Sequence, residues 1–254
     1  EHVSELTREA REFIHKNNLM DLPERETLKV LPTPSFLIPV LPFAAYMSSE
    51  KFSKKQDGIY IVTPPEERDE MMKEHCYASL KNVAVHEAYP GHHLQISSAN
   101  LQPNLIRSIV SGNETVEGWA HYCEQLMAEK GFLGKEEIFM QLIDQIWRAC
   151  RIIVDIKMHT GQMGVEEAKK FMIEHTGMEE KPAYAEVRRY TSMPGYQFTY
   201  YLGKYMLLEF QKELKEKMGE KYTEQFFHNT ILESGGMPIH YLKRLFAIRM
   251  SERM

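Results

Sequence analysis

Cysteine, long apolar runs and clustered basic residues are all scarce in this 254-residue chain. The three cysteines, Cys76, Cys123 and Cys150, are odd in number and form no paired motif, which argues against a disulfide framework and favours free, buried thiols. No apolar run approaches the roughly 20 residues that a membrane span needs. A net charge of -5 without any basic block argues against a nucleic-acid-binding protein.

Nothing at the start of the given sequence resembles a signal peptide, and the first residue is Glu1 rather than methionine. For the chain as it stands, a cytoplasmic location is the expectation. Because the sequence opens directly into a helical pattern, we expect a processed chain or an excised part of a longer protein.

What the sequence does contain is a long series of helical patterns around a short proline-rich segment. Seven prolines between residues 19 and 65 forbid long helices there, and the apolar runs at 28–31, 44–47 and 58–62 predict strands. We therefore expect a mainly α fold, one domain over residues 1–254, with a small β element near residues 28–62. Apolar residues at helical spacing predict helices over residues 2–18, 66–90, 92–100, 113–131, 134–160, 164–176, 179–190, 196–218, 220–233 and 238–248.

A short apolar segment that is broken by Pro-Gly carries the pattern on which the functional interpretation depends. It reads Val-Ala-Val-His-Glu-Ala-Tyr-Pro-Gly-His-His-Leu-Gln. The common zinc signature His-Glu-x-x-His places two imidazoles on one helix face, with the glutamate as general base. Here His86 and Glu87 supply the first pair, but Pro90 stands where the second histidine belongs. Either His92 or His93 must then take its place.

An unbroken helix would not bring His93 to a metal that His86 binds. The two residues would face the same way but stand about 10 Å apart along the axis, whereas Zn–N bonds are about 2 Å long. Pro90 and Gly91 can break the helix, because proline removes a hydrogen bond and glycine tolerates unusual dihedral angles. We prefer His92 because it needs the smaller insertion, and His93 remains the alternative.

A third ligand and a general base can also be named from the sequence. A catalytic zinc ion typically takes three protein ligands and leaves a position for water. Glu117, 25 residues after His92 on a predicted helix, suits the third ligand. Glu87 can accept a proton from the water, whose pKa the metal lowers to about 7. His121 and Glu124 follow on the same helix face as Glu117 and suit a role in orienting the ligands.

Several further positions are better explained by packing or by ion pairs than by chemistry. One set lies on a single predicted helix and suits an ion-pair ladder: Asp144, Arg148, Arg151 and Asp155. Tyrosines at helical spacing in the C-terminal third suit core packing, with Tyr200 as the exception: Tyr196, Tyr201 and Tyr205.

Five motifs occur in order along the chain. They are His-Glu-Ala-Tyr-Pro-Gly-His-His-Leu-Gln from His86, Glu-Gly-Trp-Ala-His-Tyr-x-Glu from Glu117, Arg-x-x-Val-Asp-x-x-x-His from Arg151, Arg-Tyr-x-x-x-Pro-Gly-Tyr-Gln-x-x-Tyr-x-x-Gly from Arg189, and Phe-His-x-x-x-Leu-x-x-Gly-x-x-Pro from Phe227. Together they resemble the domain-of-unknown-function 885 family, bacterial proteins predicted to be metallopeptidases. The resemblance runs from about residue 60 to the C-terminus. Family members are much longer, and this chain is similar to their C-terminal half.

The family in turn resembles the helical gluzincin peptidases, such as angiotensin-converting enzyme and neurolysin. The resemblance implies a mainly helical catalytic half with a deep cleft, one zinc ion and cleavage of short peptides. It implies that His86, His92 and Glu117 are the zinc ligands and that Glu87 is the general base.

The resemblance also implies roles for C-terminal residues and for partners. Tyr200 is the candidate donor to the oxyanion of the tetrahedral intermediate, with Arg189, Tyr190 or His228 nearby. The implied partners are a peptide substrate and the missing N-terminal half of the same protein, and some family members are secreted or lipoproteins. A non-catalytic metal- or peptide-binding protein, and a metal-dependent amidase acting on a non-peptide substrate, are the alternatives that the same residues support.

Overall fold

The computed structural model describes residues 1–38, 41, 43–64 and 76–253, which form a mainly helical fold with one small sheet. The strands are β1 (Glu26–Pro32), β2 (Ala44–Met47) and β3 (Gln56–Val62). The helices are α1 (His2–Lys16), α2 (Tyr77–Glu87), α3 (His92–Asn100), α4 (Leu105–Ile109), α5 (Asn113–Glu129), α6 (Lys135–His159), α7 (Val165–Thr176), α8 (Glu180–Tyr190), α9 (Thr199–Met218), α10 (Glu224–Leu232) and α11 (Ile239–Arg253). The predicted mainly α fold with a small β element near residues 28–62 is confirmed.

The sheet has the order β1-β3-β2, with β1 parallel and β2 antiparallel to β3. Strand β2 therefore forms one edge, where Tyr46 lies opposite the fully buried Tyr60. The Tyr46 N–H donates to the Glu87 carboxylate (2.9 Å) and so points away from β3. Because main-chain groups of alternate residues in a strand point the same way, those of Ala44 and Tyr46 both face away from the sheet.

Helix α5 is buried along most of its length and meets α9 backbone against backbone. A Cβ atom on Gly118 would lie 2.5 Å from the Cα atom of Gly203, and one on Gly203 would lie 2.0 Å from the carbonyl oxygen of Glu114. Neither position has room for a side chain, because such distances are far inside van der Waals contact. This close approach brings Glu117 and Tyr200 to the wall of one cleft.

Of the three hydrophobic clusters among the described residues, one joins α1 and α2 to β3, and the other two hold most of the helices. The larger one joins α1, α5, α9, α10 and α11 and includes Trp119, Leu207, Phe227 and Phe246. The second lies between α6, α7 and α8 around Met172. It fixes α8 against α6, whose side chains line the same cleft. None of the described helices is long and apolar enough to cross a membrane.

The helix bounds differ from the predicted ones in a few places. The helix expected to reach residue 90 ends at Glu87, and its expected N-terminal part, residues 66–75, lies outside the described residues. Helix α4 was not predicted, because five residues are too few to show a helical period. Helix α9 begins at Thr199 rather than at residue 196, and α11 continues to Arg253.

Candidate metal centre

A tight turn between α2 and α3 brings two histidines together. Helix α2 ends one residue after His86, and α3 begins at His92. The Gly91 N–H donates to the Val85 carbonyl oxygen (3.0 Å). A Cβ atom on Gly91 would lie 1.8 Å from the His86 carbonyl oxygen, so only glycine allows this close return of the backbone.

Helix α5 fixes this turn and adds a carboxylate. The buried Trp119 donates from Nε1 to the Pro90 carbonyl oxygen (2.8 Å). Two residues earlier, Glu117 places Oε2 3.2 Å from His92 Nε2 and 3.7 Å from His86 Nε2. The three residues are buried and their ligand atoms all lie within 4.8 Å of one another. Atoms that bind one tetrahedral zinc ion at about 2.0–2.1 Å are about 3.3–3.4 Å apart, so these separations fit a single ion.

The polar atoms of the cluster also fit a cation. Glu117 Oε2 is buried and has no hydrogen-bond partner among the described residues. A buried carboxylate oxygen without a hydrogen bond is costly, and a metal ion held between it and the two imidazoles would satisfy it. Two imidazole nitrogens with one glutamate oxygen are a known ligand set of catalytic zinc sites, in which a fourth position stays open for water.

A second carboxylate orients the first histidine. Glu124 is fully buried and accepts a hydrogen bond from His86 Nδ1 (2.7 Å), so that the Nε2 atom of His86 faces Glu117. Arg148 Nη2 donates to the same Glu124 oxygen (3.0 Å), and His121 Nδ1 donates to the other one (3.3 Å). A carboxylate that holds a ligand histidine in this way fixes its tautomer and raises the basicity of the ligating nitrogen.

Burial and charge oppose each other at these groups. Burial alone would lower the pKa of His86, but the carboxylates of Glu117 and Glu124 raise it to about 9. Burial would raise the pKa of Glu117, yet His92 and His86 hold it well below its usual range. Burial lowers the pKa of His121 to about 3 against the pull of Glu124. The two carboxylates therefore stay ionised, and the site favours a positive charge, either a proton on His86 or a metal ion in its place.

Glu87 lies beside the cluster, on the wall of a cleft of about 590 Å³. Its half-buried carboxylate is fixed by the hydrogen bond from the Tyr46 N–H. The same cleft is lined by His86, His92 and Glu117. The structure therefore places the predicted general base and the three predicted ligands around one space.

Two tyrosines complete this part of the wall. The ring of Tyr200 stacks on the His86 ring, with 6.3 Å between centroids and an interplanar angle of 15°. The hydroxyl group of Tyr196 donates to Glu117 Oε1. Burial and the charge of Glu117 raise the pKa of both phenols, so both remain protonated donors near neutral pH.

The contact of Tyr196 with Glu117 is a site feature that the sequence interpretation missed. Core packing was expected for this tyrosine, on the assumption of a continuous helix from residue 196. In the structure it lies in a loop before α9, where Asp155 accepts hydrogen bonds from the N–H groups of Gly195 (3.1 Å) and Gln197 (2.9 Å). The signal was the Pro-Gly pair just before Tyr196, which is typical of a turn.

His93, the alternative ligand, belongs to a separate buried cluster. Its Nε2 donates to Glu26 (2.7 Å), and its Nδ1 accepts a hydrogen bond from the Tyr46 hydroxyl (3.1 Å). Glu26 also accepts a hydrogen bond from the Tyr89 hydroxyl. Both ring nitrogens of His93 are engaged there, so His92 is the histidine that the structure brings to His86.

Of the two other predicted catalytic residues, Arg189 lies at the cleft and His228 lies away from it. Arg189 lines the cleft and pairs with Glu186 (2.8 Å). His228 does not line it. Its Nδ1 donates to the Leu19 carbonyl oxygen (2.7 Å), and its Nε2 accepts from the Tyr122 hydroxyl (2.8 Å). His228 is therefore a core residue, because internal partners use both of its ring nitrogens.

Solved structures that share this fold include two candidate lipoproteins. One, from Colwellia psychrerythraea, is described as a candidate lipoprotein; it has a TM-score of 0.85 and 30% sequence identity, and the match covers 98% of this chain and 43% of that chain. The other, from Shewanella oneidensis, is described as a candidate lipoprotein of unknown function; it has a TM-score of 0.80 and 26% identity, with 97% and 45% of the two chains covered. The chain spans less than half the length of these proteins. No curated protein matches it.

The family comparison covers more of the chain than the motifs indicated. The family described as "Bacterial protein of unknown function (DUF885)" matches residues 1–246, which includes the N-terminal segment before residue 60. The α1 helix, the sheet and the candidate metal centre all lie within this match. The chain belongs to the DUF885 family of bacterial proteins.

Proposed function

We propose that this chain carries the active site of a zinc-dependent hydrolase that cleaves peptide bonds in short peptides. One observation supports this above all others: His86, His92 and Glu117 present their ligand atoms together, in a cleft that Glu87 also lines. A ligand trio, a neighbouring carboxylate and a cleft in one place are the parts that metal-assisted hydrolysis needs.

Each residue has a role that its position allows. The two imidazoles and Glu117 would hold one zinc ion, which when bound polarises a carbonyl group and lowers the pKa of water. Glu87 accepts the proton of the attacking water and passes it to the leaving amine. Tyr200 donates a hydrogen bond to the oxyanion that develops on the substrate, while Tyr196 holds Glu117 in place.

The edge strand β2 favours a peptide over other amides as the substrate. The main-chain groups of Ala44 and Tyr46 face away from β3, and both residues line the cleft. The Tyr46 N–H is bound to Glu87, which leaves the Tyr46 carbonyl group and the main-chain groups of Ala44 for a peptide. An extended peptide can add to such an edge through main-chain hydrogen bonds, which a compact non-peptide amide cannot form in series. This arrangement would place the peptide next to Glu87, since the same strand binds the Glu87 carboxylate.

Metal analysis combined with peptide turnover tests the proposal. The purified protein is expected to bind one zinc ion and to cleave short peptides, with activity lost on chelation and regained with zinc. Glu87→Gln is expected to keep the metal and to lose about 10²- to 10⁴-fold in kcat, because the general base is removed. The matched control Glu136→Gln makes the same change on an exposed carboxylate of α6 and should alter neither quantity.

The other outcomes separate the alternatives. Full activity in Glu87→Gln would contradict the assigned base, and the absence of zinc at one equivalent would contradict the ligand set. Zinc binding with hydrolysis of non-peptide amides alone would show a metal-dependent amidase. Zinc and peptide binding without any turnover would show a binding protein.

A further inference from the structure

Two arginines share one carboxylate on the cleft wall beyond Tyr200. Glu186 Oε2 accepts hydrogen bonds from Arg189 Nη2 (2.8 Å) and from Arg151 Nη2 (3.2 Å). Both guanidinium groups keep their charge at any ordinary pH, so among the described residues of this wall Glu186 balances only one of the two positive charges. Glu179, at the start of α8, also lines the cleft. It precedes Arg189 by ten residues, which is about 15 Å along the helix axis, so the two side chains do not form an ion pair.

The two arginines differ in how exposed they are and in how many of their N–H donors are already bound. Arg151 is buried, its Nε donates to the Tyr190 hydroxyl (2.9 Å), and its guanidinium lies 4.4 Å from the ring centroid of Trp147. The side chain of Arg189 is 30% exposed, and among the described residues its hydrogen bonding is confined to Glu186 through one nitrogen. The remaining donors of Arg189 are therefore available in the cleft.

This cluster is close enough to the metal centre to contact the same substrate. The Arg151 guanidinium lies 4.8 Å from the ring centroid of Tyr200, whose ring in turn stacks on His86 at 6.3 Å. Arg189 adjoins Arg151 through Glu186. An extended peptide advances about 3.3–3.6 Å per residue, so a group a few residues from the scissile bond would reach Arg189.

We infer that Arg189 binds a carboxylate of the substrate, so that the preferred substrates are peptides with a free C-terminus or an acidic side chain close to the cleavage site. A guanidinium group binds a carboxylate through two parallel N–H groups, which fixes position as well as charge. The inference rests on the proposed function, and it gives Arg189 a role in substrate binding in place of the oxyanion contact that the family resemblance implied.

A double-mutant cycle between the protein and the substrate tests this inference. Four versions of one cleavable peptide combine a free or amidated C-terminus with glutamate or glutamine at an internal position. In the wild type, removal of the recognised carboxylate is expected to lower kcat/KM about 10- to 100-fold, as for a hydrogen bond to a charged group. In Arg189→Met the same removal is expected to have no effect. If amidation lowers kcat/KM, Arg189 binds the C-terminal carboxylate. If the change from glutamate to glutamine lowers it, Arg189 binds the side-chain carboxylate.

Two variants sharpen the result. Arg188→Met removes the neighbouring arginine, which is exposed and does not line the cleft, and it should discriminate between the peptides as the wild type does. Arg189→Lys keeps the charge but loses the planar fork, so partial discrimination is expected. An oxyanion role would instead lower kcat for all four peptides alike, which would overturn the inference. So would equal responses to carboxylate removal in wild type and Arg189→Met.

Failure of the inference can be distinguished from failure of the proposed function. If no peptide is cleaved, hydrolysis is contradicted, but binding of the four peptides still tests Arg189. Calorimetry with zinc-loaded Glu87→Gln, which binds without turnover, is expected to show weaker binding of the two peptides that lack the recognised carboxylate. Equal affinities for all four peptides in that variant would overturn the assignment of Arg189 whatever the reaction is.

Discussion

The protonation state of His228 gives a prediction that depends on the fold alone. His228 is fully buried, with Leu19 and Tyr122 as its hydrogen-bond partners. Burial lowers its pKa from 6.5 to about 4, and the hydrogen bond to the Leu19 carbonyl opposes this only in part. Between these two pH values the folded protein holds a neutral ring, whereas the unfolded chain takes up a proton.

The sign and size of the stability effect follow from this difference. A group with a lower pKa in the folded chain contributes its full stability above the unfolded pKa, and this contribution is lost as pH falls toward the folded pKa. For His228 the loss begins near pH 6.5 and is complete near pH 4. One pKa unit corresponds to about 1.36 kcal/mol, so the free energy of unfolding falls by about 3 kcal/mol over the window and by about 2 kcal/mol down to pH 5.

Replacement of His228 by asparagine isolates the contribution of His228 protonation to the free energy of unfolding. Asparagine keeps a donor near the position of Nδ1 but does not titrate, and we expect it to cost about 1–3 kcal/mol at pH 7.5. Urea unfolding followed by circular dichroism gives the free energy of unfolding of both proteins at pH 7.5 and pH 5.0. The difference between them should shrink by about 2 kcal/mol at the lower pH, because groups that titrate in both proteins cancel. A difference that is unchanged between the two pH values would refute the neutral, buried state of His228.

Three further substitutions test the candidate metal centre. Gly91→Ala should abolish zinc binding and lower the free energy of unfolding by at least about 3 kcal/mol, because the new Cβ atom meets the backbone; a stable, zinc-loaded variant would show that the turn is not as described. Glu124→Gln should weaken zinc binding about 10- to 100-fold in a chelator competition assay, while Glu129→Gln on the exposed side of α5 should not; equal affinities would remove Glu124 from the site. Tyr196→Phe should retain zinc but lower kcat/KM, since Glu117 loses a hydrogen-bond donor; unchanged kinetics would assign Tyr196 to packing.

The local parts of the fold and the site could be predicted because they depend on neighbouring residues. Helical spacing located the helices, and glycine marked the end of α7, where Gly177 adopts a left-handed conformation with φ of 71°. The His86-Glu87 pair and the Pro-Gly break likewise indicated their chemistry from adjacent residues. The preference for His92 rested on loop length, which is also a local property.

What could not be predicted depends on contacts between distant segments. Arg148 was assigned to an ion-pair ladder within one helix; it does pair with Asp144 (3.6 Å), but it also reaches Glu124 on another helix. His228 follows a phenylalanine in a family motif. Nothing in that motif shows that its ring donates a hydrogen bond to the carbonyl oxygen of Leu19, 209 positions away. Side-chain spacing along one element does not determine which element packs against it.

The glycine contact between α5 and α9 limits which substitutions this protein can accept. Gly118 and Gly203 are 85 positions apart, yet each excludes a side chain at the other's backbone. The spacing between Glu117 and Tyr200 is therefore set by main-chain atoms, which substitution does not alter. Any residue larger than hydrogen at either glycine would push the helices apart and move both functional groups at once. Substitutions that change the properties of the site are thus confined to the side chains that line the cleft. Positions 118 and 203 accept only glycine.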